Sequence, residues 1–439
     1  MMKPRGLLVA VGVLVVLAVA IFFSNKKQAA KEKAPSTTTT KIVSIPDDQF
    51  QEIRIQKSGG DTIDLKKENG KWAITEPKPL PADSDSVSSL VSTLSSVSAD
   101  ATIEDKATDL SAYGLAKPAL NVQVTPKSGK TVTLDIGDDT PTSSGAYAMV
   151  AGNPHVYTIG SFVKSSLDKK PDDLRDKRLL TFDQDKLTRV DLVAKGQPVE
   201  FGKNNNNEWT ILKPKTLRAD GSAVDTLVGK LKDAKMDLTT TADEAAKKYA
   251  DATKVATATV TDNSGSQTLE VRKDKDNNYY AKSSVVEGVY KVPTDLGDGL
   301  NKSLDDFRNK KLFDFGFSDP TKLEVKGAAY TKSGDKWMSG SKTMDNTSVQ
   351  NLIDKLRDLT ATKFAESGGG QPVFDAIVTS NNGKRVEKVT ITKQGDKYFA
   401  QRENEPSIYE LDGKAVEDLE KAASDVKEAA PPPAPAKKK

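Results

Sequence analysis

The stretch KWAITEP at residues 71–77 decides how this chain folds, because it returns twice. It recurs as EWTILKP at residues 208–214 and, in shorter form, as KWM at residues 336–338. These three segments hold every tryptophan of the 439-residue chain. A turn sequence precedes each one, as in Asn69-Gly70, and Asn-Gly between alternating stretches is a strong signal for a β-hairpin. The pattern therefore predicts three copies of one structural unit.

An amphipathic helix is predicted after each tryptophan. Apolar residues recur there at i, i+3, i+4, i+7 and i+10, a spacing that places them on one face of an α-helix. The three apolar stripes are Val87, Leu90, Val91, Leu94 and Val97; Val224, Leu227, Val228, Leu231 and Ala234; and Val349, Leu352, Ile353, Leu356 and Leu359. The residue two positions before each stripe is a good N-cap, which predicts caps at Asp85, Ser222 and Thr347.

The second half of each copy also recurs, as a pair of strands around a glycine turn, a tyrosine-containing strand and another helix. The tyrosine strands are VYTI at 156–159, VYKV at 289–292 and IYEL at 408–411. Charged joints close the first and second copies, at 172–178 and 305–311, and the third copy lacks one. Because short turns connect antiparallel strands, the expected fold class is α+β, with one antiparallel sheet and one or two helices in each unit.

The order of segments follows from these features. The sequence predicts a cytoplasmic start (1–5), a transmembrane anchor (6–23), a stalk (24–40), repeat units at 41–184, 185–319 and 320–428, and a disordered, proline-rich tail (429–439).

Residues 6–23 form an uncharged run of 18 residues, which as a helix would span about 27 Å and cross a hydrocarbon core. A cleavable secretory signal is the alternative, with Lys3 and Arg5 at its start. The run is longer than a signal core and continues through Ile21-Phe22-Phe23, which favours an uncleaved single-pass anchor. Four lysines follow the span, so the positive-inside rule does not by itself favour export of the part of the chain after the span. The very short start is typical of signal anchors, so we expect the bulk of the chain outside the cytoplasm.

Composition excludes several classes of function. The chain has no cysteine, which rules out disulfides, thiolate catalysis and cysteine zinc sites. Lysine plus arginine (65) nearly balances aspartate plus glutamate (62), so nothing supports nucleic-acid binding. His155 is the single histidine, and a Ser-His-Asp relay would depend entirely on it. We expect no cofactor and no metal site.

Three groups of residues are candidates for function. The tryptophans could stack on sugars, although their alternation with Ile74 and Ile211 favours core packing. The carboxylate pairs, Asp138-Asp139, Asp172-Asp173 and Asp305-Asp306, are expected to be solvated caps. Arg175 and Arg308 recur in the joints and are the candidate binding residues, with a helix-end role as the alternative.

The anchor, the Trp-x-Ile-x-x-Pro element, the helix, and YGLAKP at residues 113–118 together resemble a bacterial family, the domain of unknown function numbered four-three-four-zero. The likeness covers most of the first two units. Tyr249-Ala250-Asp251 replaces Tyr-Gly-Leu in the second unit, and the third keeps only Trp337 and the helix. The resemblance implies an exported inner-membrane protein with a periplasmic domain, of a kind often encoded beside gliding-motility-type ABC transporters. It implies no catalytic residues.

The expected function is therefore that of a non-enzymatic, membrane-anchored envelope protein. It would be an auxiliary or scaffold component of a transport or surface complex, with an ABC transporter or other envelope proteins as partners. A glycan- or peptidoglycan-binding protein is the first alternative. A hydrolase is the second, and it would need a cleft in which carboxylates from different units converge.

Overall fold

The computed structural model describes residues 40–316 and 320–430. These residues form large antiparallel sheets with a few helices, which confirms the α+β class. The chain divides between Lys177 and Arg178 into two compact units. The first compact unit contains one large sheet, and the second contains two.

The first sheet has nine strands in the order β5-β4-β3-β2-β8-β9-β10-β11-β7, and β1 pairs separately with β6. The strands are β1 (Thr40–Ser44), β2 (Phe50–Lys57), β3 (Thr62–Glu68), β4 (Lys71–Glu76), β5 (Leu80–Pro81), β6 (Ser96–Ala99), β7 (Ala101–Glu104), β8 (Leu120–Pro126), β9 (Val132–Asp139), β10 (Gly145–Val150) and β11 (Val156–Gly160). The helices are α1 (Ser84–Ser95), α2 (Ser161–Leu167) and α3 (Pro171–Leu174).

The second sheet has eight strands in the order β15-β14-β13-β12-β16-β17-β18-β19. The strands are β12 (Arg189–Ala194), β13 (Gln197–Lys203), β14 (Trp209–Lys213), β15 (Leu217–Arg218), β16 (Thr253–Asp262), β17 (Gly265–Lys273), β18 (Tyr279–Ser283) and β19 (Val289–Val292). The helices are α4 (Gly221–Lys232), α5 (Ala242–Asp251) and α6 (Thr294–Leu300).

The third sheet has nine strands in the order β23-β22-β21-β20-β25-β26-β27-β28-β24. The strands are β20 (Lys322–Val325), β21 (Ala328–Ser333), β22 (Lys336–Ser339), β23 (Lys342–Thr343), β24 (Lys363–Ala365), β25 (Gln371–Ser380), β26 (Arg385–Gln394), β27 (Lys397–Arg402) and β28 (Ile408–Leu411). The helices are α7 (Asn346–Asp358) and α8 (Gly413–Ser424).

All three sheets follow one plan. A four-stranded meander leads into an amphipathic helix, and a second meander then adds to the first strand of the first meander. The predicted glycine-turn strand pairs and tyrosine strands lie at the predicted places, as β8–β9, β16–β17 and β25–β26 and as β11, β19 and β28. Each sheet has its own apolar core. The amphipathic helix between its two meanders contributes its apolar stripe to that core.

The predicted apolar stripes are buried, but the predicted N-caps are wrong. The helices begin two residues earlier, and the caps are Asp83, Asp220 and Asp345, whose side chains accept hydrogen bonds from backbone N–H groups at 2.8, 3.1 and 2.8 Å. Asp85, Ser222 and Thr347 therefore lie in the first turn. Acidic and hydroxyl residues both make good caps, so the sequence offered two choices at each start. The last stripe residues (Val97, Ala234 and Leu359) are buried but follow the helix ends.

The boundary between the first and second units also lies earlier than predicted. Leu179, Leu180 and Phe182 belong to the core of the second sheet, although the sequence analysis placed them in unit 41–184. Leu312 and Phe313 likewise belong to the core of the third sheet rather than to unit 185–319. The sequence analysis placed each boundary several residues after the charged joint, and so assigned the apolar residues that follow the joint to the unit before it.

The third unit closes in the same way as the other two, although its sequence lacks the charged joint. The backbone N–H of each capping aspartate donates to a carbonyl at the end of its own unit: Asp83 to Leu174 (2.7 Å), Asp220 to Phe307 (2.8 Å) and Asp345 to Lys427 (2.9 Å). Ala429, assigned above to the tail, donates to the carbonyl of Thr343. The third unit therefore extends at least to this residue.

No helix within residues 40–316 and 320–430 is long and apolar enough to cross a membrane. The predicted anchor at residues 6–23 lies outside the described residues.

Candidate functional site

A polar cleft lies within the second compact unit, between the second and third sheets. The β13–β14 turn at residues 204–208 forms one wall, and the loop at residues 404–407 between β27 and β28 forms another. Strand β15 (Leu217–Arg218) contributes the floor. The cleft has a volume of about 630 Å³, which lies in the range of small-molecule sites. We call it the inter-sheet cleft.

The floor is organised by Arg218, whose side chain is 18% exposed. Its guanidinium forms an ion pair with Asp314 and lies 3.6 Å from a carboxylate oxygen of Glu405. It also donates to the backbone carbonyl of Lys311 at 2.9 Å. One arginine of the second sheet therefore contacts both the segment that connects the second sheet to the third and a loop of the third sheet.

Burial and charge act in opposite directions on the Arg218 guanidinium. Desolvation lowers the pKa of Arg218, but Asp314 and Glu405 more than offset it, so the pKa is raised overall. Desolvation raises the pKa of nearby Tyr409 to about 12, with the carboxylate of Glu405 adding to the effect. The Tyr409 hydroxyl donates to Glu405 at 2.9 Å. This geometry keeps the arginine charged and the tyrosine neutral.

The rim of the cleft carries a second bridge between the sheets. Arg385 of β26 forms an ion pair with Glu208 and donates to the backbone carbonyl of Asp314 at 2.8 Å. A hydrogen bond from the Asn204 side chain, at 3.0 Å, lowers the pKa of Glu208, and Arg385 lowers it further. Glu208 is thus held as a carboxylate by an amide and a guanidinium.

A third arginine supports the floor from behind. Arg402 donates to Glu405 at 2.7 Å and to the buried Glu387 at 3.1 Å, and it also bonds the backbone carbonyl of Leu312. Glu387 in turn accepts the backbone N–H of Asp314 at 3.0 Å. The carboxylates of the floor therefore have arginine or backbone donors of this same network.

Trp209 lies at the wall of the cleft, half-buried at the start of β14. Its indole N–H donates to Asp225 of α4 at 2.7 Å, and the ammonium group of Lys203 lies 5.2 Å from the ring centre. Trp72 is also half-buried, with Lys67 at 5.7 Å, whereas Trp337 is buried. Core packing is therefore complete for Trp337 and partial for the other two.

The two predicted binding arginines both make side-chain contacts within the chain. Arg308 donates to Asp305 at 2.9 Å and to Ser407 of the third sheet at 3.0 Å. Its guanidinium also lies 3.4 Å from the ring centre of Phe364. Arg175 is nearly buried in the first unit and pairs with Asp172 at 3.5 Å. Arg308 borders the inter-sheet cleft through Ser407.

The other candidates are scattered. Asp173 and Asp306 accept the backbone N–H groups of Lys170 and Ser303 at 2.8 and 2.7 Å, as the third helical residue of a capping box does. Asp139 pairs with Lys164 at 2.7 Å. His155 precedes β11 and bonds Asn153 at 2.5 Å. Across residues 40–316 and 320–430, no group of three or more carboxylates or histidines is placed to hold a metal ion.

The residues that build the cleft were not singled out by sequence reasoning. Arg218, Asp314, Arg385 and Glu405 come from four separate segments, and no motif links them. Comparison of the copies contains one signal: the position of Arg218, between the tryptophan strand and the helix cap, is occupied by Pro81 in the first copy. Because proline has no side-chain donor, the first copy cannot make the contacts that Arg218 makes in the second.

The fold defines an α+β protein built from repeated antiparallel-sheet units. The chain belongs to the family described as Domain of unknown function (DUF4340), whose model matches residues 72–216 and 209–376. Each match begins at a tryptophan, Trp72 or Trp209, so the family's own period follows the repeat seen in the sequence. No curated protein matches the chain.

Proposed function

We propose that this protein is a non-enzymatic component of a bacterial envelope, anchored in the inner membrane by residues 6–23 with its sheets in the periplasm. It serves as an auxiliary or scaffold subunit of a transport or surface complex, for which an ABC transporter is the leading partner. The three sheets are three copies of one module, of which the third has diverged most.

One observation carries this proposal: the arginines in and behind the inter-sheet cleft pair with carboxylates there. Asp314 and Glu405 contact Arg218, Glu208 contacts Arg385, and Glu387 contacts Arg402. A general acid needs a carboxyl that remains protonated near neutral pH, and arginine neighbours favour the opposite. These groups are suited to fixing one sheet against the next, which is what a scaffold requires.

The shared closure of the three sheets supports the module proposal. In each, the capping aspartate of the amphipathic helix uses its side chain on the helix and its backbone N–H on the end of its own unit. One aspartate therefore caps the helix and also closes the unit. Substituting it would remove the helix cap and disturb the closing hydrogen bond, so we expect an aspartate at this position in every copy of the module.

A crosslinking experiment on the full-length protein in its native membrane tests the proposal. Crosslinks from the sheets should recover subunits of a membrane transport or surface complex. Protease added to spheroplasts should digest the sheets without lysis. Protection of the sheets until lysis would refute the proposed orientation, and recovery of cytoplasmic enzymes alone would refute the proposed partners.

A further inference from the structure

We propose that the inter-sheet cleft binds a neutral glycan, with Trp209 as the stacking surface. This is a ligand site in addition to the scaffold role, and it can be tested on purified protein whatever the partner complex is. Four observations carry it: unused neutral polar groups, charges that are already paired, an oriented indole ring and a cleft of suitable size.

Four neutral polar side chains line the cleft without using their hydrogen-bonding capacity. They are Asn207, Thr210, Thr216 and Asn404, and none of these side chains has a hydrogen-bond partner in the described part of the chain. Amide and hydroxyl groups can both donate and accept, as sugar hydroxyls do. Asn207 and Asn404 belong to two different loops that line the cleft, so one ligand in the cleft can meet donors and acceptors from both.

The charged residues of the cleft do not favour a charged ligand. Lys203, Arg218 and Arg385 line it together with Glu208, Asp225, Asp314 and Glu405, so cations and anions nearly balance. Arg218 and Arg385 are engaged with carboxylates as described above, and Asp225 accepts the indole N–H of Trp209. An anionic ligand would have to break an existing pair, whereas a neutral one leaves the network intact.

Trp209 supplies an oriented aromatic ring. The hydrogen bond to Asp225 fixes the rotation of the indole, and the ring packs partly against the core of the second sheet. Lys203 is exposed and only covers the ring at 5.2 Å, so its flexible side chain can move aside at little cost. The C–H face of a pyranose ring can then take the place of the lysine.

The size of the cleft fits a short oligosaccharide. Its volume of about 630 Å³ lies in the middle of the range for ligand sites. An extended peptide is the competing polar ligand, but it would need unpaired strand edges for its backbone. Strand β14 at this wall is paired on both sides, with β13 and β15, and the edge strand β15 already accepts the backbone N–H of Asn309 at Arg218.

The test is calorimetric titration of the full-length protein with defined tetrasaccharides. Chitotetraose, cellotetraose, maltotetraose and laminaritetraose are the neutral probes, and a heparin-derived tetrasaccharide is the anionic one. We expect at least one neutral probe to bind with a Kd of about 1 mM or tighter. The heparin fragment should not bind more tightly than that probe.

Two variants locate the binding in the cleft. Trp209→Ala should weaken it about tenfold, because it removes the stacking surface. The double variant Asn207→Gly/Asn404→Gly should also weaken it about tenfold while preserving the fold. Both asparagines have a φ of 63°, which glycine adopts without strain.

Matched controls exist for both variants. Trp72→Ala removes the corresponding tryptophan of the first sheet, and Asn277→Gly removes an exposed asparagine with a φ of 65° on another turn of the second sheet. Neither control should change the affinity. If Trp209→Ala fails to fold, the glycine variant decides. The proposal is overturned if no neutral probe binds, if only the heparin fragment binds, or if the cleft variants bind as tightly as the controls.

Discussion

Replacement of Arg218 by methionine should loosen the junction between the second and third sheets. The change keeps most of the side-chain volume and removes the charge. It breaks the ion pairs with Asp314 and Glu405 and the hydrogen bond to the carbonyl of Lys311 at 2.9 Å. Because Arg218 is only 18% exposed, the carboxylates it leaves are poorly compensated by water.

The free energy lost in this variant depends on which other contacts Asp314 and Glu405 keep. Breaking a buried ion pair costs about 3–5 kcal/mol when one charge is left alone. Asp314 keeps the amide of Asn309 at 3.1 Å, and Glu405 keeps Arg402 at 2.7 Å, so we expect the lower end, about 3 kcal/mol. Since about 1.4 kcal/mol is a factor of ten, local opening of the junction should become roughly a hundredfold more frequent.

Hydrogen exchange on the intact chain measures this opening. The amide of Leu312 donates to Leu359 at 3.0 Å and that of Asp314 to Glu387, so peptides covering residues 305–316 report on the junction. Their exchange should accelerate about a hundredfold, while peptides of the first sheet should keep their rates.

Arg189→Met is the matched control, because Arg189 is 48% exposed and pairs with Asp191 on a strand of the same compact unit. An exposed pair of this kind contributes about 0–1 kcal/mol. If Arg218→Met and Arg189→Met change the exchange of the junction equally, the inter-sheet network does not hold the two sheets together.

Three further predictions concern the folding of the modules. Leu94→Ala, Leu231→Ala and Leu356→Ala should each lower the free energy of unfolding of their own sheet by about 2–5 kcal/mol, since all three leucines are buried; a loss below about 1 kcal/mol in urea titration would contradict the assigned cores. Asp220→Ala should cost about 1 kcal/mol and Ser222→Ala much less, because Asp220 is the N-cap; equal costs in thermal melting would restore Ser222 as the cap. Burial raises the pKa of Glu270, but hydrogen bonds from Arg272, Tyr249 and Lys254 outweigh it and lower the pKa to about 2. The pKa of Glu270 in the folded protein is below the usual value of about 4.3. The ionised carboxylate therefore stabilises the fold above about pH 4.3, and this stabilisation is lost as the pH falls toward 2. Glu270→Gln should therefore flatten the acid-side decline between about pH 4.5 and 2, and an unchanged slope in acid titration would contradict this.

Periodic features were predictable from the sequence. The tryptophan segments, the first four residues of each apolar stripe and the tyrosine strands lie in elements at the expected places, because core residues must repeat with the period of their helix or strand. Helix starts were less well determined, since Asp83 and Asp85, or Asp220 and Ser222, are equally suitable caps. In the structure the backbone of Asp220 also donates to Phe307, a tertiary contact that the local sequence does not reveal.

The inter-sheet cleft was not predictable in this way. Asp314 corresponds to Thr181 at the previous junction, and the backbone N–H of each residue donates to a side chain of the following sheet: Thr181 to Gln267 at 2.7 Å and Asp314 to Glu387. Equivalent backbone positions therefore make a neutral contact at Thr181 and belong to an ionic network at Asp314. The partners of Asp314, which are Arg218, Arg385 and Glu387, are far from it in sequence, and no local pattern brings such residues together.

We propose that the protein acts by contact from a membrane tether and not by catalysis. Complementation of a strain lacking the protein tests it most directly, with a released form and three anchored variants compared at equal protein level. The released form lacks residues 1–33 and carries a cleavable export signal, and the anchored variants are Asp138→Ala, Asp172→Ala and Asp305→Ala. Tethering raises the effective concentration beside a membrane partner, so the account predicts impaired function for the released form and full function for the variants. Full function of the released form, with loss of function in a folded carboxylate variant, would contradict it.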